Sequence, residues 1–248
     1  MLQNAREHAA LMERARERLE VVRAISDRTS DISVLEVAAG LQKAMGFFGE
    51  SDEAKIAAML AVFSDAPHSD VVEIGVLTGR SAAVLAMMAR CYRIGPVLEV
   101  DLWSYAESIQ HESPSQLQSM VDVWDARVSF ETFLVQLTPI ARHGTFNYLP
   151  MTSLEAHWYL SAQIFSPEFG GTRYSKNISV LHIDGNHDFA AVNEDVGLWL
   201  PNLRRGGWLI LDDYFGFTAT GRGGRGIPFL WGARTISAGP SFAAGRCS

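Results

Sequence analysis

Between residues 70 and 213, short apolar runs alternate with longer helical segments, and this alternation constrains the fold more than any other feature. The runs "DVVEIGV" (70–76) and "ISVLHID" (178–184) are rich in β-branched residues, as buried strands are. Stretches such as "RSAAVLAMMARCY" (80–92) are helical in character. Parallel strands require crossover connections of this kind. The pattern therefore predicts an α/β fold with a doubly wound, mostly parallel sheet.

The predicted elements follow this alternation along the chain. Strands are predicted at 70–76, 95–103, 144–150, 178–184 and 206–213, and helices at 80–92, 152–165 and 188–204. The polar stretch 104–142 is interpreted as helices with a loop around Pro114, and as a lid or substrate-facing insert. We interpret 166–177 as a loop, because it is rich in Gly, Ser and charged residues.

The two ends of the chain differ from this central pattern. Apolar residues spaced three or four apart predict N-terminal helices at 2–28, 33–47 and 52–64. The first helix either packs on its own domain or forms a contact in a homo-oligomer, and both alternatives stay open. The last 31 residues are rich in Gly, Arg, Ser and Ala and lack periodicity. We therefore expect an N-terminal helical segment (1–65), a central catalytic domain (66–217) and an irregular C-terminal tail (218–248).

Charge and composition exclude several classes of partner. The net charge of −7 argues against nucleic-acid binding and against adhesion to anionic lipid. No apolar stretch reaches the roughly 18 residues that span a bilayer. The two cysteines, Cys91 and Cys247, form neither a disulfide framework nor a metal cluster. We expect a cytoplasmic protein that binds neither nucleic acid nor membrane.

The segment "EIGVLTGRSA" (73–82) joins the first predicted strand to a helix through a glycine turn. Glycine lets the backbone approach a ligand closely, and a helix N-terminus offers free N–H groups. The segment has neither the lysine of a phosphate-binding P-loop nor the G-x-G-x-x-G spacing of dinucleotide sites. Asp101 follows Gly75 by 26 residues, where an acid binds ribose hydroxyls in nucleotide-binding α/β domains. The alternatives are a nucleoside-type ligand and a purely structural turn.

Carboxylates follow several predicted strands at the point where each strand ends. These are Asp101, Asp184, Asp212 and Asp213. The carboxyl ends of parallel strands lie at one edge of a sheet, so we expect these acids to gather there. Three neighbouring carboxylates repel each other unless a cation is present, and Mg²⁺ prefers oxygen ligands. The pattern favours a metal site at Asp184, Asp212 and Asp213; the alternative is a helix cap and solvent-facing loop acids.

Taken in order, "VVEIGVLTGRSA", "LEVDLW", "LHIDGNHDF" and "LPNLRRGGWLILDDY" resemble the class I S-adenosylmethionine-dependent methyltransferases. They are most similar to the Mg²⁺-dependent O-methyltransferases of the macrocin type and, more distantly, the catechol type. The resemblance covers about 70–214. It implies a Rossmann-like fold, S-adenosylmethionine and Mg²⁺ as cofactors, and methyl transfer to a hydroxyl of a small molecule such as a natural-product sugar or a phenol.

The resemblance also implies roles for individual residues. The cofactor would be bound by residues that follow the first three strands, with Trp103 either stacking on its base or packing in the core, and with Asp184 beside it. The cofactor-binding residues implied in this way are Glu73, Gly75, Thr78, Gly79, Arg80, Ser81, Asp101, Trp103, Met151, Ser153 and Asp184. The spacing from Asp184 to Asp212 matches that of the family's metal ligands.

The chain departs from the family at a position proposed to supply the catalytic base. Macrocin-type relatives often read I-D-G-D where this chain has Asn186, which cannot accept a proton. His187 is the first candidate base, because the unperturbed pKa of histidine lies near the working pH. Asp188 is the second. Two rival functions stay open: a nicotinamide-dependent oxidoreductase, which the missing G-x-G-x-x-G opposes, and a relative that binds the cofactor without catalysis.

Overall fold

The computed structural model describes residues 2–26, 34–49, 51, 55–56, 59, 62–111, 122–212 and 229–232. The helices are α1 (Leu2–Ser26), α2 (Val34–Met45), α3 (Arg80–Cys91), α4 (Tyr105–Ser108), α5 (Ala126–Leu137), α6 (Ser153–His157) and α7 (Phe189–Trp199), which continues into a 3-10 turn, Leu200–Asn202. The strands are β1 (Asp70–Ile74), β2 (Val97–Val100), β3 (Phe146–Leu149), β4 (Gln163–Ser166), β5 (Gly170–Arg173), β6 (Ile178–Ile183), β7 (Leu203–Leu211) and β8 (Phe229–Gly232).

The main sheet confirms the predicted α/β fold. Its order is β3-β2-β1-β6-β7-β8, and the first five strands run parallel. The strand order changes direction between β1 and β6, which are neighbours although more than a hundred residues separate them. Ligands of open α/β sheets bind at such a switch point, outside the carboxyl ends of the strands. The segments that follow β1 and β6 therefore flank the expected site.

Two apolar layers cover the sheet. Alternate residues of a strand point to opposite faces, so Val71 and Val97 enter one core cluster while Val72 and Leu98 enter the other. The first cluster is covered by α2, α3 and α5, and the second by α6 and α7. Because both faces are buried, the central strands read as continuous apolar runs, which is why the sequence predicts them well.

The predicted helix at 152–165 is wrong in its second half. Thr152 and Glu155 form a reciprocal capping box that starts α6, but the helix ends at His157. The chain then forms a hairpin of β4 and β5, part of which lies in the predicted loop 166–177. Ile164 and Ser166 are buried while Gln163 and Phe165 are exposed, so the segment alternates with the period of a strand.

Other boundaries also shift. The predicted strand at 206–213 begins earlier, at Leu203, directly after the turn that contains Pro201. Within the predicted insert 104–142, α5 buries Phe133 and Leu137 in the core, so this part is a packing element and not a lid. Residues 112–121, including Pro114, lie outside the described residues. No element is predicted in 218–248, yet β8 pairs antiparallel with β7 there.

The N-terminal helices divide into an exposed part and a buried part. In α1, the side chains described between Ala5 and Glu20 are all exposed. By contrast, Leu41 of α2 is buried, as are Ile56, Met59, Val62 and Phe63, which are helical and belong to the first core cluster. No described helix is long and apolar enough to cross a bilayer. Leu41, Ile56, Met59, Val62 and Phe63 thus belong to the core of the sheet, while the division of the chain into 1–65, 66–217 and 218–248 stays a prediction.

Candidate functional site

The glycine loop after β1 is shaped by contacts within the protein. Gly75 has φ 85°, and a Cβ atom there would lie 2.3 Å from the carbonyl oxygen of Asp184. Gly79 has φ 88°, and its Cβ would lie 2.5 Å from Leu137 Cδ2. Only glycine tolerates both the positive φ and the close approach. Both glycines are thus explained by packing against β6 and α5, which is the structural alternative; their contact with a ligand stays a prediction.

Asp101, directly after β2, ties the glycine loop to the second strand. Its Oδ2 accepts hydrogen bonds from the backbone N–H groups of Val76 (2.8 Å) and Leu77 (3.0 Å), and its Oδ1 accepts one from Trp103 (2.6 Å). Burial raises the pKa of Asp101, although these N–H groups act in the opposite direction. The carboxylate thus fixes the loop backbone, and ribose hydroxyls would share its remaining acceptor positions.

Trp103 packs beneath this loop. Its ring centroid lies 4.8 Å from that of Phe130 and 5.0 Å from that of Phe133. Its Nε1 donates to the carbonyl of Leu77 at 2.7 Å, and the residue is only 8% exposed. The packing alternative is therefore what the structure shows, and stacking of this indole on a base stays a prediction.

Two of the predicted cofactor-binding residues, Thr78 before α3 and Arg80 at its start, form hydrogen bonds with the N-terminal segment, and their contact with a cofactor stays a prediction. Thr78 Oγ1 donates to the carbonyl of Phe48 at 2.5 Å. The Arg80 guanidinium donates from Nε to the carbonyl of Phe47 at 2.7 Å and from Nη1 to that of Ser51 at 3.1 Å. These bonds hold Phe47, Phe48 and Ser51 against the glycine loop and the start of α3. Ser81 is buried in the first turn of α3.

Glu73 lies within the sheet, below the loop. It is the register partner of Glu99 on β2 and of His182 on β6, and all three side chains are fully buried. His182 Nδ1 lies 2.7 Å from Glu73 Oε1. Burial first, and then the neighbouring Glu73 charge, raises the pKa of Glu99 well above its ordinary value. Burial therefore favours the protonated form of Glu99 over its ionised form. His182 is fully buried within β6.

The structure brings together Asp184 and Asp212, two of the predicted metal ligands. The Asp184 N–H donates to the Ile74 carbonyl (2.8 Å) and that of Asp212 to the Ile183 carbonyl (3.0 Å), which places both residues at the carboxyl edge of the sheet. A lysine lies between their carboxylates: Lys55 Nζ is 2.7 Å from Asp184 Oδ2 and also bonds Asp212 Oδ2. Asp213, the third predicted ligand, lies outside the described residues.

Lys55 is a site residue that sequence reasoning missed. It is only 4% exposed, and it lies in the helical stretch that also buries Ile56, Met59 and Val62. Positions 55, 59 and 62 recur on one helix face. A lysine on the apolar face of a predicted helix was therefore the sequence signal for a buried ion pair, since lysine is rarely fully buried unless it is paired.

The three charges perturb one another. Burial alone would lower the pKa of Lys55, but the Asp184 and Asp212 carboxylates raise it above its ordinary value, so Lys55 is a cation. Burial would raise the pKa of Asp184, yet Lys55 holds it well below its ordinary value. Burial and the Asp184 charge raise the pKa of Asp212 to about 6, against the influence of Lys55. At neutral pH the cluster is an ammonium between two carboxylates.

The loop after β6 carries the two candidate bases. His187 is partly buried, and its Nε2 lies 3.8 Å from Asp184 Oδ1. Asp188 Oδ2 instead accepts from the backbone N–H of His111 (2.9 Å) and lies 3.1 Å from its Nδ1. Asn186 donates to the carbonyl of Ile109 at 3.0 Å. Asp188 and Asn186 therefore hold residues 109–111 against this loop, and of the two candidates His187 is the one beside the acids.

The predicted adenine side lies after β3. Met151 packs on the second core cluster. Ser153 begins α6, and its Oγ accepts from Trp199 Nε1 at 2.7 Å. Both are therefore engaged with the protein, and contact with adenine stays a prediction for them.

The donor groups do not fit a divalent metal ion as they are arranged. Glu73, His182 and Asp184 offer ligand atoms within 4.8 Å of one another. However, Glu73 and His182 are fully buried and bound to each other, and Asp184 is bound to Lys55. Asp212, the second described acid of the predicted metal site, is also bound to Lys55. A lysine ammonium already lies between the two carboxylates that would form the predicted site and offsets one of their two negative charges.

The arrangement does fit an elongated nucleoside that carries a charged group. The N-cap residue of α3, Gly79, makes no side-chain hydrogen bond to the helix. The first N–H groups of α3 thus face the carboxyl edge of the sheet without a side-chain cap, and they can receive a carboxylate. Asp101 lies at the end of the next strand, and its contact with ribose stays a prediction.

Comparison with known proteins supplies an independent finding. A family model described as "Methyltransferase domain" matches residues 72–214, more than half of the chain. No curated protein sequence matches it. Solved structures that resemble it include the O-methyltransferase NovP, with 16% identity, TM-score 0.44, and 66% of each chain covered.

Two further solved structures show a similar degree of likeness. The O-methyltransferase TomG from Streptomyces achromogenes, in complex with SAM, has 15% identity and TM-score 0.43 over 74% of this chain and 66% of its own. Cofactor-bound Rv0187 from MTB has 18% identity and TM-score 0.42 over 80% of this chain and 77% of its own. The aligned part spans just under two thirds of the length of NovP and of TomG.

Proposed function

The chain belongs to the methyltransferase domain family, and from this premise we propose that it transfers a methyl group from S-adenosylmethionine to a hydroxyl of a small molecule. The observation that carries the proposal is the carboxyl edge at the switch between β1 and β6. There, Asp101 and the uncapped start of α3 flank the glycine loop, while Asp184 and His187 follow β6. A nucleoside site thus adjoins a cluster of acid, base and ammonium.

The residues of the chain have separate tasks in this proposal. When bound, S-adenosylmethionine supplies a sulfonium methyl group that an acceptor oxygen attacks in line. Asp101 binds the ribose hydroxyls, and the N–H groups at the start of α3 bind the carboxylate of the amino-acid part. Holding the two reactants in line can lower the barrier by about 7–11 kcal/mol at best. Positioning is therefore the main contribution of the sheet edge.

His187 is the proposed base. It is partly buried, and its Nε2 lies 3.8 Å from Asp184 Oδ1, so the carboxylate can orient the ring and stabilise its protonated form. Asp188 is less suited, because its carboxylate already accepts hydrogen bonds from His111. In the proposed step a ring nitrogen of His187 would take the proton of the acceptor hydroxyl. The bound cofactor would supply the methyl group to the acceptor oxygen and, as its methyl–sulfur bond breaks, would leave as S-adenosylhomocysteine.

The His187→Ala variant tests this role. We expect turnover to fall by about 10²–10⁴-fold, since this is the usual contribution of a positioned base, with little change in cofactor affinity. The measurement is initial rate against pH for the wild type and the variant. Near-wild-type turnover in the variant would move the task to Asp188 or to water.

The family resemblance implies that activity depends on Mg²⁺. One feature of this site favours Mg²⁺ binding and another disfavours it. The proximity of Asp184 and Asp212 supports it, because hard cations bind carboxylate oxygens. The Lys55 ammonium, bound to both carboxylates, opposes it. The proposed transfer is therefore assigned to the chain's own residues.

Calorimetric titration with S-adenosylmethionine and S-adenosylhomocysteine tests the proposed function directly. We expect micromolar binding of both, and an Asp101→Asn variant should bind more weakly, because its amide offers only one acceptor oxygen to ribose and to the loop. The reduced nicotinamide cofactor is the control, since its fluorescence reports binding. Binding of the nicotinamide cofactor alone would favour an oxidoreductase. Cofactor binding without methyl transfer to any hydroxylated acceptor would favour the non-catalytic relative.

A further inference from the structure

We propose that the Lys55 ammonium is the built-in cation of the Asp184–Asp212 pair, in the place that a divalent metal ion would otherwise take. The site would then work without a metal cofactor. This inference goes beyond the proposed function, because it concerns the resting charge of the sheet edge and can be tested without any methyl transfer.

The Lys55 ammonium occupies the position that a cation bridging Asp184 Oδ2 and Asp212 Oδ2 would take. Lys55 Nζ lies 2.7 Å from Asp184 Oδ2 and bonds Asp212 Oδ2 as well, so one oxygen of each carboxylate points at the ammonium. A magnesium ion would have to approach the same oxygens to about 2.0–2.1 Å. An ion between these two oxygens would therefore overlap with Nζ, and it would also be repelled by the positive charge.

The charges agree with the geometry. Two ionised carboxylates in a partly buried site repel each other and need compensation. The side chain of Lys55 is 5% exposed, and those of Asp184 and Asp212 are 19% and 11% exposed, so solvent screens this pair of contacts poorly. Removing one partner of such a buried pair is far more costly than breaking a surface ion pair. The ammonium is thus an integral part of the site.

The backbone that carries Lys55 is fixed from both sides. Before it, Arg80 binds the carbonyls of Phe47 and Ser51. After it, Ile56 and Met59 are buried in the first core cluster. Lys55 therefore cannot leave the carboxylates by a movement of its helix without breaking these contacts.

Manganese binding, followed by electron paramagnetic resonance of the full chain after treatment with chelator, tests the inference. The free Mn²⁺ signal falls when the ion is bound, so the measurement needs neither cofactor nor acceptor. For the wild type we expect no saturable site. For Lys55→Gln we expect a saturable site that binds Mn²⁺ at least about tenfold more tightly than the wild type does. The two carboxylates lose their compensating charge and become available as oxygen ligands.

The matched control is Lys43→Gln, which makes the same substitution at an exposed lysine of α2. It should bind manganese no better than the wild type. A double variant, Lys55→Gln with Asp212→Asn, should lose the gained site, which would assign it to this pair of acids.

Two results would overturn the inference. One is a saturable manganese site in the wild type that Asp212→Asn removes. The other is a folded Lys55→Gln variant, judged by circular dichroism, that gains no site. If Lys55→Gln does not fold, the wild-type titration with and without Asp212→Asn still decides. Failure of the proposed function would register separately, as absence of S-adenosylmethionine binding by calorimetry.

Discussion

At the scale of single residues, Glu99 is a carboxyl group that the fold keeps away from water. Its pKa is raised because it is fully buried and lies opposite Glu73. In the unfolded chain the group ionises near its ordinary value of 4.5, while in the folded chain it keeps its proton to a much higher pH. As pH rises above about 4.5, the unfolded state therefore loses a proton that the folded state retains, and stability decreases.

The Glu99→Gln variant should remove this dependence. Glutamine has nearly the same shape, cannot ionise and can still donate to Glu73. We expect its free energy of unfolding to rise relative to that of the wild type by up to about 1.4 kcal/mol per pH unit above the unfolded pKa. Denaturant unfolding between pH 5 and about 8 measures this. The same substitution at the exposed Glu131 controls for loss of a surface charge. If the difference in free energy of unfolding between Glu99→Gln and the wild type stays constant across this pH range, the pKa of Glu99 is not raised in the folded chain.

Gly75 gives a second prediction at this scale. A Cβ at this position would lie 2.3 Å from Asp184 O, in a backbone conformation with φ 85°. We expect Gly75→Ala to reduce the free energy of unfolding by about 3 kcal/mol or more, because backbone strain and overpacking add. The matched control is Gly197→Ala in α7, where nothing lies within 4 Å; it should gain about 0.5–1 kcal/mol. Equal effects of the two substitutions on the free energy of unfolding would mean that the backbones of Gly75 and Asp184 are not in close contact.

At the scale of elements, the N-terminal segment is attached to the glycine loop by a few hydrogen bonds. Arg80 on α3 donates to the carbonyls of Phe47 and Ser51, and Thr78 donates to that of Phe48. Hydrogen bonds from a charged donor contribute about 1.5–3 kcal/mol each. These contacts keep the helical stretch with Lys55 at the sheet edge.

The Arg80→Ala variant should loosen this attachment. We expect a loss of about 2–4 kcal/mol in the free energy of unfolding and faster amide hydrogen exchange in residues 47–49 than in the wild type. Arg127→Ala is the control, because Arg127 forms only an exposed pair with Glu131 at 2.8 Å on α5. Such a pair contributes about 0.3–0.5 kcal/mol. Unchanged exchange in 47–49 would show that the core contacts alone hold the segment.

The sequence predicts elements well where local pattern and tertiary environment agree. The β-branched runs at 70–76 and 178–184 are buried on both faces of the sheet and could be found without a structure. The hairpin of β4 and β5 was missed because a strong helix start at Thr152 precedes it. The strand β8 was missed because its pairing with β7, and not its own sequence, decides its conformation.

In the candidate site, too, some residues could be predicted from the sequence and others could not. Asp184 and Asp212 are predictable, because both follow apolar strand sequences at one edge of a parallel sheet. That Lys55 would lie between them is not, since 157 residues separate Lys55 from Asp212 and no local pattern encodes such a pairing. The hydrogen bonds of Thr78 and Arg80 to Phe47, Phe48 and Ser51 are equally hard to predict from the sequence. Their acceptors are backbone carbonyls, which every residue has.

At the scale of the whole molecule, none of the α1 side chains that the structure describes belongs to the core. Its side chains described between residues 5 and 20 are exposed, including Leu11 (60%) and Met12 (56%). A chain that lacks residues 1–26 should therefore unfold within about 4 °C of the full chain, which corresponds to roughly 1 kcal/mol for this size. Its affinity for S-adenosylhomocysteine should be unchanged, because Lys55 and the glycine loop are retained.

Differential scanning calorimetry and titration of the shortened chain provide the measurements. A chain that begins after residue 55 is the contrasting case, since it lacks Lys55 and the residues that Arg80 binds, and it should be strongly destabilised. A large loss of stability on removing 1–26 alone would show that α1 supports the core. Light scattering of both lengths tests whether α1 mediates the predicted homo-oligomer, which would then dissociate on shortening.

The ion triad of Lys55, Asp184 and Asp212 also sets an order of events during synthesis of the chain. The lysine leaves the ribosome first, and Asp212 follows 157 residues later. At about 5–20 residues per second, this is an interval of roughly 8–30 seconds. Until Asp184 has been made, 129 residues after Lys55, burial of Lys55 would enclose an ammonium without a counter-ion, which disfavours early docking of the nascent N-terminal segment. The ion triad can form only after β6 and β7 have been synthesised, so it assembles late in the folding of the nascent chain.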